Sequence, residues 1–539
     1  MTSPFTFLAF LLLTLPWLNP FAPGPSPAIG PWLFSMAMLV AVLLLWAWRS
    51  RLALDESAGL GSQANQQLHR QQREQAFDNV SRAFGWSLLV AGLVSSVLAL
   101  LQYFDVEALF APLINPTEAG YAFANLRQRN QFASLTNLAL AVLLVWAMRR
   151  EAGAPNRGVK TVALAGAALL AIGNAASASR TGVVQVILLC VLFLLWGGWR
   201  HRLVQLMLAT AAFAYAAAAV ALPYAAGFDW AAHGLFARLQ AGDAPCASRI
   251  TLWSNVLHLV TQKPWLGWGW GELDYAHFIT RYDTSNGGVR FCDILDNAHN
   301  LPLHLAVELG LPAAVLICAG FAWWAIRQKP WAEQNAARQM AWAVLAVVLL
   351  HSLLEYPLWY GPFQIAFGWS TYVLWRTNPT GAPRSIYSKK SAVAHVIRAQ
   401  KAPVLIAVLI AILLCLTYAA WDYRRVSQIY LAPADRSSAY REDTVSKMRD
   451  SWLFADQARF AELLMTPVTA GTAAWVFDAA ERTLRYSPEP RVAEKAIESA
   501  VMLGRDEEAI VYLAAYRAAF PVEHARWASG GLKSTTGPN

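Results

Sequence analysis

Eleven stretches of this chain stay apolar for long enough to cross the roughly 30 Å hydrocarbon core of a bilayer. They cover residues 5–22, 31–48, 84–103, 131–148, 160–176, 183–199, 203–222, 302–326, 339–355, 361–375 and 402–420. Lipid offers no partner to an exposed backbone N–H or C=O, so such stretches must satisfy their own backbone as helices. The fold class that follows is all-α: a polytopic membrane bundle of about eleven transmembrane helices, a large extramembrane loop and a soluble helical C-terminal domain. Of 539 residues, 56% are hydrophobic and 14% charged, against about 25% charged in an ordinary soluble domain. A net charge of +9 would suggest nucleic acid in a soluble protein. In a bundle, the rule that sets orientation accounts for it, and no nucleic acid partner is expected.

The connections alternate in basic content. The set 49–82, 149–160, 200–202, 327–338 and 376–401 carries twenty Lys and Arg, whereas 20–30, 104–130, 177–182, 223–301 and 356–360 carry eight in more residues. The basic set is cytoplasmic. The N-terminus is then inside and the tail from Trp421 outside, in the periplasm of a Gram-negative inner membrane. Residues 5–19 read alternatively as a signal peptide, but no Lys or Arg precedes them. The later topology is the same either way.

Two parts are expected: a bundle over 1–421, including the periplasmic loop 223–301, and a soluble periplasmic helical domain over 422–539. In the tail, amphipathic patterns run near 443–465, 470–486, 490–503 and 506–519. The last pair, joined by Leu503-Gly504-Arg505 and ending before Pro521, is similar to a tetratricopeptide hairpin, a signal that generic helical hairpins share. The connector 50–82 is Gln-rich and partly helical, and 377–401 is a basic cytoplasmic loop. In the large loop, PWLGWGWGEL (264–273) sets three tryptophans among glycines, which suits a folded loop with rings toward lipid headgroups or a lipid substrate. Cys190, Cys318 and Cys415 lie in spans as packing residues. Cys246 and Cys292 share the outer loop, where the compartment is oxidising; a bridge and two unpaired thiols both remain open.

The outward cations carry the most information, because they persist on the side that avoids positive charge. Arg127 and Arg129 lie in ANLRQRNQF before a span, Arg180 in SASRTG between two spans, and Arg249 after Ala247-Ser248. All four sit at ends of apolar runs, where one outward patch could gather them. A guanidinium gives phosphate two charge-assisted hydrogen bonds and stays charged in a semi-apolar site. A dedicated site for a lipid diphosphate is favoured over four arginines snorkelling to ordinary lipid phosphates. His299, in FCDILDNAHN (291–300), is the candidate base. Asp293 or Asp296 would orient it, with Asn300 beside it; the bland alternative is a histidine at a helix start. His351, Glu355 and Tyr356 in HSLLEYPLWY form a second cluster, where an ionisable group ends a span; its bland alternative is a capped helix end with an aromatic belt. Glu272, Asp274, Asp293 and Asp296 are hard oxygen donors, but their spacing matches no metal motif. Neither metal nor cofactor is expected. No Walker A, dinucleotide, HExxH or GxSxG motif stands in a suitable context, so an activated donor would arrive through the lipid.

Five segments together resemble the bacterial O-antigen ligase superfamily, and within it the PglL-type protein O-oligosaccharyltransferases. They are ANLRQRNQFA (124–133), SASRTG (177–182), SRITLW with PWLGWGWGEL (248–273), DNAHNLPLHLAVELGLP (296–312) and HSLLEYPLWY (351–360). The resemblance implies inverting, metal-independent transfer of a glycan from undecaprenyl diphosphate to Ser or Thr of a periplasmic or pilin-like acceptor protein. It implies that Arg249 holds diphosphate, that Arg180 with Arg127 or Arg129 completes the anion site, and that His299 is essential near the acceptor. The sequence departs at Gln131, where many relatives are expected to carry histidine. A lipid A-core ligase or polysaccharide polymerase is the nearest alternative. A transporter of lipid-linked glycans would place ionisable groups at the midplane and show repeated halves, and neither is visible.

Overall fold

The computed structural model describes residues 4–21, 29–56, 62–150, 157–229, 234, 244–282, 288–377 and 393–533, and regular structure among them is helical. The basic loop 377–401 lies largely outside the described residues, as do parts of the loop 223–301. Each of the eleven apolar runs falls on helix. The helices are α1 (Pro4–Leu18), α2 (Ile29–Glu56), α3 (Ser62–Tyr103), α4 (Arg129–Arg150), α5 (Arg157–Ala176), α6 (Arg180–Leu195), α7 (Arg202–Ala225), α8 (Arg249–Gln262), α9 (Leu273–Ile279), α10 (Leu301–Leu309), α11 (Leu311–Arg327), α12 (Ala336–Ser352), α13 (Gly361–Arg376) and α14 (Val393–Ser427). Seven segments among the described residues are long and apolar enough to span a membrane, and α1, α6 and α12 are shorter apolar helices. The chain is a polytopic all-α membrane protein. The expected connector 50–82 is mostly helix, since α3 begins at Ser62.

The run 302–326 is not one span. It breaks at Gly310 (φ +85°) into α10 and α11, so the spanning stretch begins at Leu311. Leu301 opens the nine-residue α10.

Contacts divide the chain into two compact units: 1–241 with 325–417, and 242–324 with 418–539. In the first, α4 is the central post, with every residue from Asn130 to Ala141 buried. A helix enclosed by neighbours must be packable all round, and small residues let them approach. A Cβ on Gly92 of α3 would lie 2.4 Å from that of Ala139 on α4. Buried Arg338 closes the far end of α13, donating to Glu333 Oε2 at 2.6 Å and to the carbonyls of Leu374 and Thr377 at 3.1 and 2.8 Å.

In the second unit, the large loop and the tail share one core. Phe278, on the seven-residue α9, is fully buried among Val476, Tyr512 and Tyr516 of the tail. Arg485 lies over the Tyr275 ring at 4.9 Å and bonds Glu272 at 3.1 Å. The tail helices are α15 (Ala455–Met465), α16 (Ala473–Leu484), α17 (Pro490–Met502), α18 (Asp506–Ala519) and α19 (Pro521–Lys533). One sequence expectation shifts here: residues 443–454 form turns rather than helix. The helix over 506–519 ends before Pro521 as expected, and a further helix starts at Pro521, where proline's missing N–H is harmless in a first turn.

The Trp-Gly segment is folded, and its glycines serve a backbone crossing at the Gly310 break. Leu311 N–H donates to Pro264 O at 2.8 Å, Trp268 N–H to Val307 O at 2.8 Å and Gly269 N–H to Glu308 O at 3.0 Å. A Cβ on Gly267 or Gly310 would fall 2.3 or 2.2 Å from the opposing carbonyl oxygen. Trp268 is half-buried and donates to Leu259 O at 3.1 Å, while Trp265 and Trp270 stay exposed.

Phe278→Ala removes the ring that α9 places in the tail's core, a change that typically costs about 3–5 kcal/mol. Hydrogen exchange of the full-length protein is expected to speed up in α9, α16 and α18 and stay unchanged in α4.

Candidate functional site

In the first unit the sequence brings three helix ends together through buried polar side chains at the edges of apolar runs. Ser179 caps α6, accepting from Gly182 N–H at 3.0 Å, and its hydroxyl donates to Asn130 Oδ1 at 2.6 Å. Asn130 Nδ2 in turn donates to Glu355 Oε1 at 3.0 Å. Asn130 follows Arg129, the first residue of α4, and Ser179 precedes Arg180, the first residue of α6. The bonded trio therefore fixes the backbone from which Arg129, Arg180 and the 355–360 segment project. Arg129 lies over the Tyr121 ring at 4.8 Å. Arg127 holds a left-handed backbone (φ +63°). Burial lowers its pKa, and nearby Tyr360 acts in the opposite direction. Tyr356 packs against Trp359 and stacks on Tyr360, with ring centres 5.3 and 6.1 Å apart.

A second chain of bonds runs deeper. Asn174 of α5 donates to Asn137 Oδ1 at 3.0 Å, Asn137 Nδ2 to Gln185 Oε1 of α6 at 2.9 Å, and Gln185 Nε2 to Ser134 Oγ at 2.7 Å. Ser134 Oγ and His351 Nδ1 are 2.9 Å apart. All five side chains are buried. Gly182 makes the approach feasible, since a Cβ there would lie 2.7 Å from Asn174 Oδ1.

In the second unit, Cys246 and Cys292 form a disulfide, and Cys292 N–H donates to Cys246 O at 3.0 Å. Immediately after the bridge, Ser248 caps α8 by accepting from Thr251 N–H at 3.1 Å, and Arg249 is that helix's first residue. The helix then holds the 289–298 strip at both ends. Asn255 donates to Val289 O at 2.9 Å and accepts from Phe291 N–H at 2.8 Å, and Trp253 Nε1 donates to Ala298 O at 3.1 Å. His277 is fully buried behind the strip. Its Nδ1 accepts from Leu295 N–H at 3.4 Å and lies 3.3 Å from an Arg290 nitrogen, which leaves Nε2–H to donate to Asn255 Oδ1 at 3.2 Å. Burial, aided by Arg290, keeps this ring neutral, its pKa well below the usual value.

His299 follows with a left-handed backbone (φ +48°), its N–H donating to Asn297 Oδ1 at 2.8 Å. Asn300 caps α10, accepting from Leu303 N–H at 3.1 Å. Left-handed non-glycine residues store strain that surrounding bonds must hold, and here both neighbours of His299 supply such bonds. Asp293 is exposed in the same strip. Asp296 reaches solvent yet is crowded on one side, which raises its carboxyl pKa, while a charge on His299 lowers it. Among the described residues, no group of three His, Cys, Asp or Glu is placed to hold a metal ion.

Each unit thus gathers its own share of the expected site. Arg127, Arg129, Arg180, His351, Glu355 and Tyr356 belong to the first, and Arg249, Asp293, Asp296, His299 and Asn300 to the second. Asn130, Ser134, Asn137, Asn174, Ser179, Gln185, Asn255, His277 and Arg290 are missing from the expected set. A signal for two of them exists: 134 and 137 fall on one helical face inside the apolar run 131–148.

A polytopic bundle with helix-borne arginines and a clamped, histidine-bearing loop agrees with the comparisons to known proteins. Three families match in chain order: "Protein glycosylation ligase" over 122–147, "O-Antigen ligase" over 165–318 and "Virulence factor membrane-bound polymerase, C-terminal" over 339–534. These matches support a likeness to the O-antigen ligase superfamily, close to its PglL-type protein-glycosylating branch. Two curated relatives come from Acinetobacter baylyi. A ComP-specific O-oligosaccharyltransferase is 26% identical over 54% of this chain and 50% of its own length, and a general O-oligosaccharyltransferase is 24% identical over 71% and 66%. The chain thus matches between half and two thirds of these relatives. No solved structure matches.

Asn130→Leu deprives buried Ser179 and Glu355 of their shared partner, a loss of about 1–3 kcal/mol for an unsatisfied buried group. Thermal unfolding is expected to begin earlier in this variant, and Arg180→Ala, half-exposed, to unfold near wild type. Burial raises the Asp274 carboxyl from 3.8 to about 7. The folded state then binds its proton more tightly, and the second unit loses stability as pH rises from 3.8 through about 7. Asp274→Asn should flatten that slope in pH-dependent hydrogen exchange of α9.

Proposed function

We propose that this chain is a protein O-oligosaccharyltransferase that moves a glycan from undecaprenyl diphosphate to Ser or Thr hydroxyls of periplasmic or pilin-like proteins. It would act in the inner membrane with its reactive groups facing the periplasm. The observation that carries this reading is the placement of Arg129 and Arg180 as first residues of α4 and α6, tied through Ser179 and Asn130. Helix N-termini already favour anions through their free N–H groups and dipole. Guanidinium forks there, with Arg127 beside them, suit the diphosphate of a lipid-linked donor. Arg249 stands at a third such N-terminus, α8.

Transfer would break the bond between the anomeric carbon and the diphosphate oxygen while the acceptor oxygen attacks from the opposite face, inverting the configuration. Negative charge grows on the leaving diphosphate, and fixed guanidinium groups stabilise it without reorganising, so no Lewis acid is required. His299 would take the acceptor hydroxyl's proton, with Asp296 steadying the imidazolium. The names of the two relatives support a protein acceptor. A second reading, transfer to another saccharide or to lipid A-core, draws on the O-antigen ligase and polymerase families that match 165–318 and 339–534.

The test is co-expression with a lipid-linked glycan pathway and a candidate pilin, followed by mass spectrometry of both pilin and polysaccharide. Glycan on pilin Ser or Thr is expected from wild type. His299→Ala, inserted and folded, should lose about 10²–10⁴-fold in rate. Arg249→Lys should also be impaired, because lysine is a point donor without a bidentate fork. Near wild-type transfer by either purified variant would remove that residue's role, and lengthened polysaccharide with an unmodified pilin would favour the second reading.

A further inference from the structure

At the end of α4 opposite to Asn130, the first unit holds a cleft of about 1350 Å³. Arg149 and Arg150 end the helix, so the cleft mouth lies about 30 Å along it from Asn130 of the Ser179–Asn130–Glu355 trio. Its floor is apolar, formed by Phe77, Leu89, Leu143, Val162 and Met340 from α3, α4, α5 and α12. Its rim carries Arg82, Arg149, Arg150 and Arg376 against the carboxylates of Glu74 and Asp78, an excess of two positive charges. Arg82 is turned to the Asp78 carbonyl and to Asn79 Oδ1, at 3.3 and 2.6 Å, and Arg150 lies over the Trp146 ring at 5.0 Å.

We propose that this cleft binds one anionic glycerophospholipid of the adjacent leaflet, with its phosphate on Arg149 and Arg376 and an acyl chain along the floor. Three observations select this occupant. Drug-sized ligands fill about 300–1,000 Å³, so the volume suits a longer molecule. Leu89, Leu143 and Val162 belong to stretches long and apolar enough to span a membrane, so the floor lies at a depth suited to an acyl chain. Guanidinium groups at the mouth pair with phosphate, and basic pockets between transmembrane helices on the cytoplasmic side hold anionic headgroups. Arg82, Arg149, Arg150 and Arg376 all come from the connections that the charge count places in the cytoplasm. The site is separate from the donor arginines at the other end of α4, and it would let leaflet composition affect the packing of α3, α4, α5 and α12.

Native mass spectrometry of the full-length protein, titrated with phosphatidylglycerol, phosphatidylcholine or inorganic phosphate, tests the proposal. One phosphatidylglycerol is expected to bind at least tenfold more tightly than phosphatidylcholine, and millimolar inorganic phosphate should not displace it. Arg149→Ala with Arg376→Ala should weaken binding by about 25-fold, near fivefold for each charge. Arg149→Lys with Arg376→Lys should retain most of it. Val162 is 73% exposed, so Val162→Trp fills the cleft without removing a packed side chain and should abolish binding with the arginines intact. Equal affinity for the two lipids, displacement by inorganic phosphate, or unchanged binding in Val162→Trp would overturn the proposal.

Discussion

A side-chain amide buried where a bilayer excludes water must find partners in its own protein, because lipid supplies none. Asn130 meets that demand with two bonds that reach different helices: Ser179, the cap of α6, and Glu355, beyond the end of α12. Much of the first unit depends on this tie. It ties the residue after Arg129 to the residue before Arg180, and so sets the backbone from which both arginines project. The deeper series from Asn174 to His351 extends the same constraint across α5, α4, α6 and α12. Amides with directed donors and acceptors admit one register, whereas apolar packing admits several.

The second unit reaches rigidity by other means. Its loop lies outside the spanning helices, so it uses a disulfide, a backbone crossing and a clamped strip. The Cys246–Cys292 bridge, Asn255 and Trp253 bind the 289–298 strip to α8, and neutral His277 supports it from behind. The outcome is a fixed backbone on both sides of His299, which a positioned base requires. Both units therefore present the candidate site's side chains from backbone that buried polar groups hold in place.

The helical bundle was legible because hydrophobic length is a strong signal, and each apolar run lies on helix. The error at 302–326 has a clear cause. Mean hydropathy does not register Gly310, whose left-handed conformation breaks the run so that Trp265 and Leu266 can cross it. The glycines of PWLGWGWGEL were legible as unusual but not as a clasp, since their partners at 307–311 lie about forty residues away in sequence. The arginines and His299 stood out because charge is rare where they occur. Asn130, Asn174 and Gln185 did not, because a single amide in an apolar run carries no information about its partner. The stop before Pro521 was legible, but the further helix that Pro521 opens was not.

The central claim is that the Ser179–Asn130–Glu355 tie holds guanidinium groups in place for a lipid diphosphate. The most direct measurement is the affinity of the full-length protein in nanodiscs for an isoprenyl diphosphate and for the matching monophosphate. The account predicts tighter binding of the diphosphate, with most of that preference lost in Asn130→Ala although every arginine remains. Equal affinity for the two lipids, or an undiminished diphosphate preference in folded Asn130→Ala, would contradict it.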